Sequence, residues 1–293
     1  MIHCNNVSKR FGSVRALDNV NLHIGKNAIV GLVGRNGAGK TTLLRLITGC
    51  WTPTNGAVRV FEQKPFDNLF VSANSILIDD GMVFPEVLSL SELLQICADF
   101  YPNWDAKLAE KLATYFRLNK DIFYYQLSKG KRSTFNAIIG LCSRAPLTVF
   151  DEPTTGMDRS VRQDFYKALL KDYMNYPRTI ILSSHHIEEV EHILESLILI
   201  DNGKVQLHLP IDDVRDYARG IRGDANEVRS WMKNKTVLYE ETVGIDELFI
   251  VVKNDQEVIQ SAGGAFTVTA ISAADLAVYV TNGVEGGIDH VFN

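Results

Sequence analysis

The stretch GRNGAGKTT, from Gly34 to Thr42, places Gly34 and Gly39 five positions apart and follows them with a lysine and two hydroxyl residues. Such spacing suits a loop that wraps phosphate, because glycine lets the backbone curl until its amide N–H groups converge on phosphate oxygens. Gly34, Asn36, Gly37, Ala38 and Gly39 would line that cradle, and the N-terminus of a following helix adds the favourable end of its dipole. Lys40 would reach the β- and γ-phosphates, Thr41 would ligate magnesium, and Thr42 would stand beside them. The chemistry implied is that of ATP or a similar nucleotide.

A second cluster is acidic. TVFDEPTTGMD, from Thr148 to Asp158, ends an apolar run in Asp151 and Glu152. Two carboxylates then stand at the edge of a parallel sheet, where such folds bind ligands. One can hold the magnesium shell while the other polarises an attacking water. A solvated acid pair at a strand end would look the same in isolation.

These residues need elements to position them. IHCNNV and ALDNVNLHI alternate apolar and polar residues as half-buried strands do, and AIVGLVG reads as a buried strand running into the glycine-rich loop. LLRLIT continues as a helix, WTPTNG is a turn and AVRVF a further strand. From 86 to about 145 apolar residues recur at three- and four-residue intervals, which predicts helices. Between 147 and 205 strands LTVF, TIILSS and SLILI alternate with helices RQDFYKALLKDYM and IEEVEHILE. Beyond that the pattern predicts a helix around 211–219, strands near 236–243, 247–253 and 265–271, and a last helix through ADLAVYVTN. The fold class is α/β, with a core at 1–205, a linker at 206–219 and a small α+β accessory or regulatory domain at 220–293.

Composition narrows the function. The 293 residues carry 30 Lys and Arg against 35 Asp and Glu, a net charge of −5, so a dedicated nucleic-acid binder is not expected. Residues 1–205 hold 23 basic and 21 acidic side chains, whereas 206–293 hold 7 and 14. No apolar run approaches the ~20 residues of a membrane-spanning helix, and MIHCNNVSKR lacks the apolar stretch of a secretory signal. A soluble, intracellular chain is expected. Cys4, Cys50, Cys97 and Cys142 form no CxxC pair, so reduced core thiols rather than zinc ligands are expected.

In order along the chain stand GRNGAGKTT, LSKGK (Leu127 to Lys131), TVFDEP, TTGMD and SSHH. In this order they resemble the nucleotide-binding subunits of ABC transporters over roughly residues 1–205. The resemblance implies a P-loop NTPase core with an antiparallel β subdomain and a helical subdomain at about 86–145. It implies ATP and Mg2+ as cofactors, with Thr41 and Asp151 at the metal and Glu152 as catalytic base. LSKGK is similar to the family's LSGGQ signature, so Ser128 and Gly130 would contact the γ-phosphate held by the opposite subunit of a head-to-tail dimer, with Asp158 close by. His185, first in SSHHIEEVE, takes the switch-histidine role, with His186 its helix-side neighbour. Phe11 stands where the family stacks an aromatic on adenine, though a core Phe is the other reading. The family's Gln at the entry to the helical subdomain is replaced by Asp79, followed by Asp80; Asp79 is either a metal contact or part of an acidic turn.

The implied partners are separate transmembrane permease subunits and a second ATPase, in a homodimer or heterodimer, at the cytoplasmic face of the membrane. Aromatics Tyr101, Trp104, Tyr115, Phe116, Phe123, Tyr124 and Tyr125 either pack the helical subdomain or line a groove for a permease helix. In YPNWD, LSKGK and SSHHIEEVE the chain is similar to ATPases of Gram-positive multidrug and peptide exporters, including those of phenol-soluble modulins. Export of peptides, toxins or drugs is the expected work. Two other readings stand beside it: an ABC-type ATPase acting in translation or DNA repair, and a non-hydrolysing regulatory subunit. The first would carry paired cassettes or coiled-coil insertions, and the second would lack Glu152 and His185.

Overall fold

Strands that are buried at every position belong in the middle of a parallel sheet, covered on both faces. The computed structural model describes residues 1–185, 187–244, 246–254 and 266–282. In it, β1 (Ile2–Phe11) and β2 (Val14–Ile24) form an antiparallel hairpin. β3 (Ile29–Val33) opens a second sheet, and β4 (Asn55–Val60) returns to the first, whose order is β2-β1-β4. The second sheet adds β5 (Ser75–Ile78), β6 (Leu147–Asp151), β7 (Thr179–Ser184), β8 (Ser196–Asp201) and β9 (Lys204–Pro210), in the order β5-β6-β7-β3-β8-β9. β3, β6 and β7 are buried at every residue.

Register decides what those three strands can do. β6 and β7 run parallel with Asp151 opposite Ser183, and β3 and β7 run parallel with Val33 opposite Ser184. Their C-terminal ends therefore finish at one level, so the residues just after them share one edge. One apolar cluster holds both sheets together, from Ile2, Val7 and Leu17 through Leu32, Leu43 and Leu44 to Val149 and Ile181.

Six helices accompany this part of the chain: α1 (Lys40–Ile47), α2 (Leu69–Ala73), α3 (Leu90–Phe100), α4 (Ala106–Tyr115), α5 (Lys129–Ser143) and α6 (Arg159–Asn175). α3 starts in a reciprocal cap between Ser89 and Glu92, while Asp105 caps α4 and Ser128 caps α5; each cap satisfies an N–H that the helix itself leaves unpaired. Phe84, Tyr124 and Phe135 make edge and tilted ring contacts, and Phe123 stacks on Tyr125.

Asp172 of α6 is the polar centre of the same body. It takes Arg178 at 2.8 Å and Arg144 at 2.8 Å, and Arg144 also reaches Asp105 at 2.8 Å. Arg178 continues to Thr148 Oγ1 at 3.2 Å and to the Leu141 carbonyl at 3.2 Å. Two guanidinium groups thus tie α4, α5, α6 and β6 through one buried carboxylate.

Cysteine burial divides the four thiols. Burial pushes the Cys4 thiol up to about 12 and the Cys97 thiol up to about 11, and it raises Cys142 as well. Such thiols are poor nucleophiles. Cys50, expected in the core, is exposed instead, because it lies past the end of α1 in the turn that leads to β4.

Residues 186–191 and 208–293 form a second compact unit, distinct from 1–185 with 192–207. It contains α7 (Ile187–Val190), α8 (Ile211–Asp216), β10 (Ala218–Asp224), α9 (Ala225–Trp231), β11 (Val237–Val243), β12 (Glu247–Lys253), β13 (Thr267–Ala270) and α10 (Ala273–Asn282). Its sheet has the order β11-β12-β10-β13 with antiparallel neighbours. Ile221, Val228, Leu248, Ile250 and Val252 make its core. The stretch 206–219, expected as a linker, is structured: it holds the end of β9, all of α8 and the start of β10. The helix expected over IEEVEHILE is only α7 followed by a single 3-10 turn at Glu191–Ile193. Part of the 220–293 domain lies outside the described residues.

Replacing Asp172 with Ala leaves the buried Arg178 without its carboxylate, while Arg144 keeps Asp105. Unfolding in denaturant should show a loss of about 3–5 kcal/mol, the usual cost of breaking a buried ion pair from one side.

Candidate functional site

Gly39 caps α1 with φ of +108° and no side-chain cap. A Cβ there would stand 2.7 Å from the Ala16 carbonyl oxygen and 2.9 Å from Leu17 Cδ2, so only glycine fits, on both backbone and steric grounds. The first amides of α1 consequently have no side-chain partner. They border a cleft of about 380 Å³ lined by Arg35, Asn36, Gly37, Gly39, Lys40, Thr41, Thr42 and Ala16 on one side. Asp80, Asp151, Glu152 and Thr155 line the rest.

Lys40 is 6 % exposed, and a buried ammonium must be surrounded by oxygen. Its Nζ donates to the Gly34 carbonyl at 2.7 Å and the Arg35 carbonyl at 3.3 Å, and it stands 3.3 Å from Glu152 Oε1. The other oxygen of Glu152 lies 2.6 Å from His185 Nδ1. Glu152 itself has φ of +50°, a conformation that non-glycine residues adopt at some energetic cost and that clusters at functional sites.

Asp151 is held on both oxygens: Thr41 Oγ1 donates to Oδ2 at 2.6 Å and Ser183 Oγ to Oδ1 at 2.5 Å. Ser183 Oγ in turn accepts from the Glu152 backbone N–H at 2.9 Å. One hydroxyl thereby orients both carboxylate residues. Ser183 was not among the residues picked out from the sequence. Its signal is the pair of serines that ends the otherwise apolar run TIILSS, since a buried hydroxyl at a strand end needs partners.

Thr41 and Asp151 offer hard oxygen donors side by side. Among the described residues no three His, Cys, Asp or Glu side chains converge as a metal group. Magnesium fits such a place, because it keeps waters and substrate phosphates around it and takes only one or two protein oxygens.

The structure gathers some expected residues and separates others. The glycine-rich loop with Lys40, Thr41 and Thr42 meets Asp151 and Glu152 in one cleft, and His185 joins them through Glu152. Ser128, Gly130 and Asp158 line a different cleft, beside the start of α5, with Tyr115, Lys129, Lys131 and Asp164. Phe11 is 43 % exposed and does not line the nucleotide cleft; its ring lies edge-on to Trp51 at 5.1 Å. Of the two readings of Asp79, the contacts suit the acidic turn. Its Oδ2 accepts from Arg45 at 3.1 Å and its Oδ1 from the Gly81 N–H at 2.9 Å, so a guanidinium on α1 claims the charge that magnesium would have needed. Asp80 lines the cleft in its place. His186 lies outside the described residues.

Ser183→Ala should slow ATP turnover roughly tenfold or more, as loss of a group that orients a metal ligand commonly does. Steady-state hydrolysis in the intact complex, with kcat falling more than KM rises, is the expected result.

With this geometry in view, the chain's likenesses acquire meaning. The family described as "ABC transporter" matches residues 17–155. The chain is 24 % identical to the ABC transporter ATP-binding protein YtrB of Bacillus subtilis, over 88 % of each chain. It is 31 % identical to the Nod factor export ATP-binding protein I of Cupriavidus metallidurans, covering 70 % of this chain and 69 % of that one. It is 26 % identical to the methionine import ATP-binding protein MetN of Clostridium tetani, over 89 % and 83 %. Among solved structures, an ATP-binding subunit of an ABC transporter superposes with a TM-score of 0.65 at 25 % identity, covering 73 % of this chain and 92 % of that one.

Proposed function

Because this chain belongs to the family of ABC transporter ATP-binding proteins, we propose that it binds and hydrolyses ATP to drive transport through separate transmembrane permease subunits. The observation that carries the reading is the chain of contacts from Lys40 to Glu152 to His185, at 3.3 Å and 2.6 Å, set beneath the uncapped start of α1. ATP enters with its β- and γ-phosphates on the loop amides, and Lys40 exchanges Glu152 for phosphate oxygen. Thr41 and Asp151 would hold magnesium, which would supply positive charge against the oxygens that become more negative during transfer. Glu152, released from Lys40, accepts a proton from the attacking water, and His185 holds its second oxygen in place.

Ser128, Gly130 and Asp158 line a cleft of their own. In the proposal they serve the nucleotide of a second subunit in a head-to-tail dimer, which is either a second copy or a related ATPase. Phe11, exposed at the end of β1, is assigned to adenine. The protein then works at the cytoplasmic face of the membrane, and its second unit regulates or stabilises the dimer, since every nucleotide residue named precedes residue 190. Export of peptides, toxins or drugs is the direction supported by the relative named for Nod factor export, 31 % identical over 214 residues. The relative named for methionine import makes vesicle transport assays the measurement that decides direction.

Lys40→Ala removes the ammonium from the phosphates, so hydrolysis in the purified complex should vanish and ATP affinity should fall. Glu152→Gln keeps the shape but cannot take the proton. ATP binding should survive, turnover should stop, and closed dimers should accumulate in light scattering with ATP and magnesium. Full turnover in either variant would refute the assignment of that residue.

A further inference from the structure

The nucleotide chemistry leaves unused a pair of histidines on the antiparallel sheet. His3 on β1 and His23 on β2 are direct cross-strand partners, so both rings rise from the same face. Their Nδ1 atoms stand 3.0 Å apart, with ring centres 4.3 Å apart and planes tilted by 52°.

Two arrangements give so short a separation. If one nitrogen donated straight at the lone pair of the other, the ring centres would lie about 5.4 Å apart, each centre being about 1.2 Å behind its nitrogen. If both lone pairs aimed instead at one ion about 2.05 Å from each nitrogen, the ring centres would lie about 4.7 Å apart and the N–metal–N angle would be about 94°. The observed 4.3 Å is shorter than the straight-on value, so at least one ring is turned away from the nitrogen–nitrogen axis.

Glu62 adds an independent observation. Its Oε1 lies 3.5 Å from Nε2 of His3, the far ring nitrogen. A carboxylate near the far ring nitrogen is the arrangement commonly found behind metal-bound imidazoles. Arg59, opposite His3 on β4, turns its guanidinium to the Glu62 carbonyl at 3.0 Å.

We propose that His3 and His23 form a bidentate site for a late first-row divalent ion, with Glu62 as the positioning residue for His3. Imidazole nitrogen selects Cu2+, Ni2+ or Zn2+ over magnesium, and an angle near 90° suits the tetragonal preference of Cu2+ and Ni2+. Water completes the coordination. The ion joins β1 to β2 across the sheet and binds only when that pairing has formed, so it stabilises the folded subdomain.

The experiment is titration of the tag-free full-length protein with Cu2+, Ni2+ and Zn2+ by calorimetry, with electron paramagnetic resonance of the Cu2+ form. One saturable site per chain is expected, with copper coupled to two imidazole nitrogens. His3→Gln and His23→Gln should each weaken binding more than tenfold, and Glu62→Gln roughly tenfold. Ni2+ should raise the unfolding temperature of the wild type and leave the double variant unmoved. Absence of a saturable site in the wild type would overturn the proposal and leave the pair as a direct Nδ1–H···Nδ1 hydrogen bond. Unchanged affinity and unchanged copper spectra in both single variants would overturn it too, by placing the ion on other histidines.

Discussion

An ammonium group at 6 % exposure has to be met by oxygen from several directions, and at Lys40 three oxygens arrive from two parts of the chain. Two are carbonyls of the preceding loop, turned inward by its curl. The third is the carboxylate of Glu152, more than a hundred residues further on. That encounter requires β3 and β6 to end at the same height, which the pairing of both with β7 secures. It also requires those strands to be buried on both faces, hence the apolar runs that define them. The sheet, the loop and the acid pair are in this sense conditions for keeping one cation in a place where water is scarce.

The same cation explains why the cleft is poised rather than inert. Its partner Glu152 is also the partner of His185, and its backbone sits in the left-handed region. An arriving phosphate carries more negative charge than a carboxylate and comes with further donors from α1 already facing it. In the proposed cycle the exchange would trade one anion for another instead of stripping a charge bare, and would leave Glu152 with a free oxygen when a base is needed.

What could be read from the sequence was whatever local spacing encodes. Gly34 to Thr41 is a contiguous run whose backbone demands show in its glycines, and Asp151 with Glu152 follows directly from a buried strand. Ser183 was less visible because a serine at a strand end has many uses, and only the pairing of β6 with β7 brings it to Asp151. The role of Asp79 was left open for a related reason: a carboxylate stands where a longer amide was expected, and its pairing with Arg45 on α1 is one that adjacency in sequence could not reveal. In the second unit, β10 and α9 lay in a stretch whose first part had been assigned to a linker, where alternation is weakened by Gly220 and Gly223 and by the charges of Arg219 and Arg222. Burial of Ile221 between β12 and β13 makes it a central strand all the same.

Gly130 opens the first turn of α5 so close to the turn at Gly156 that a single added Cβ would stand 2.2 Å from the Gly156 carbonyl oxygen. Three residues on, Ser133 Oγ donates to the Thr155 carbonyl at 2.7 Å. The signature segment and the turn after Glu152 are thus pressed into a single tile, although more than twenty residues of chain separate them. Any tilt of α5 carries Asp158 with it, and any lengthening of either segment has to displace the other. The intervening chain holds α5, β6 and the acid pair, so a shift at either edge of the tile reaches the carboxylates through that packed core.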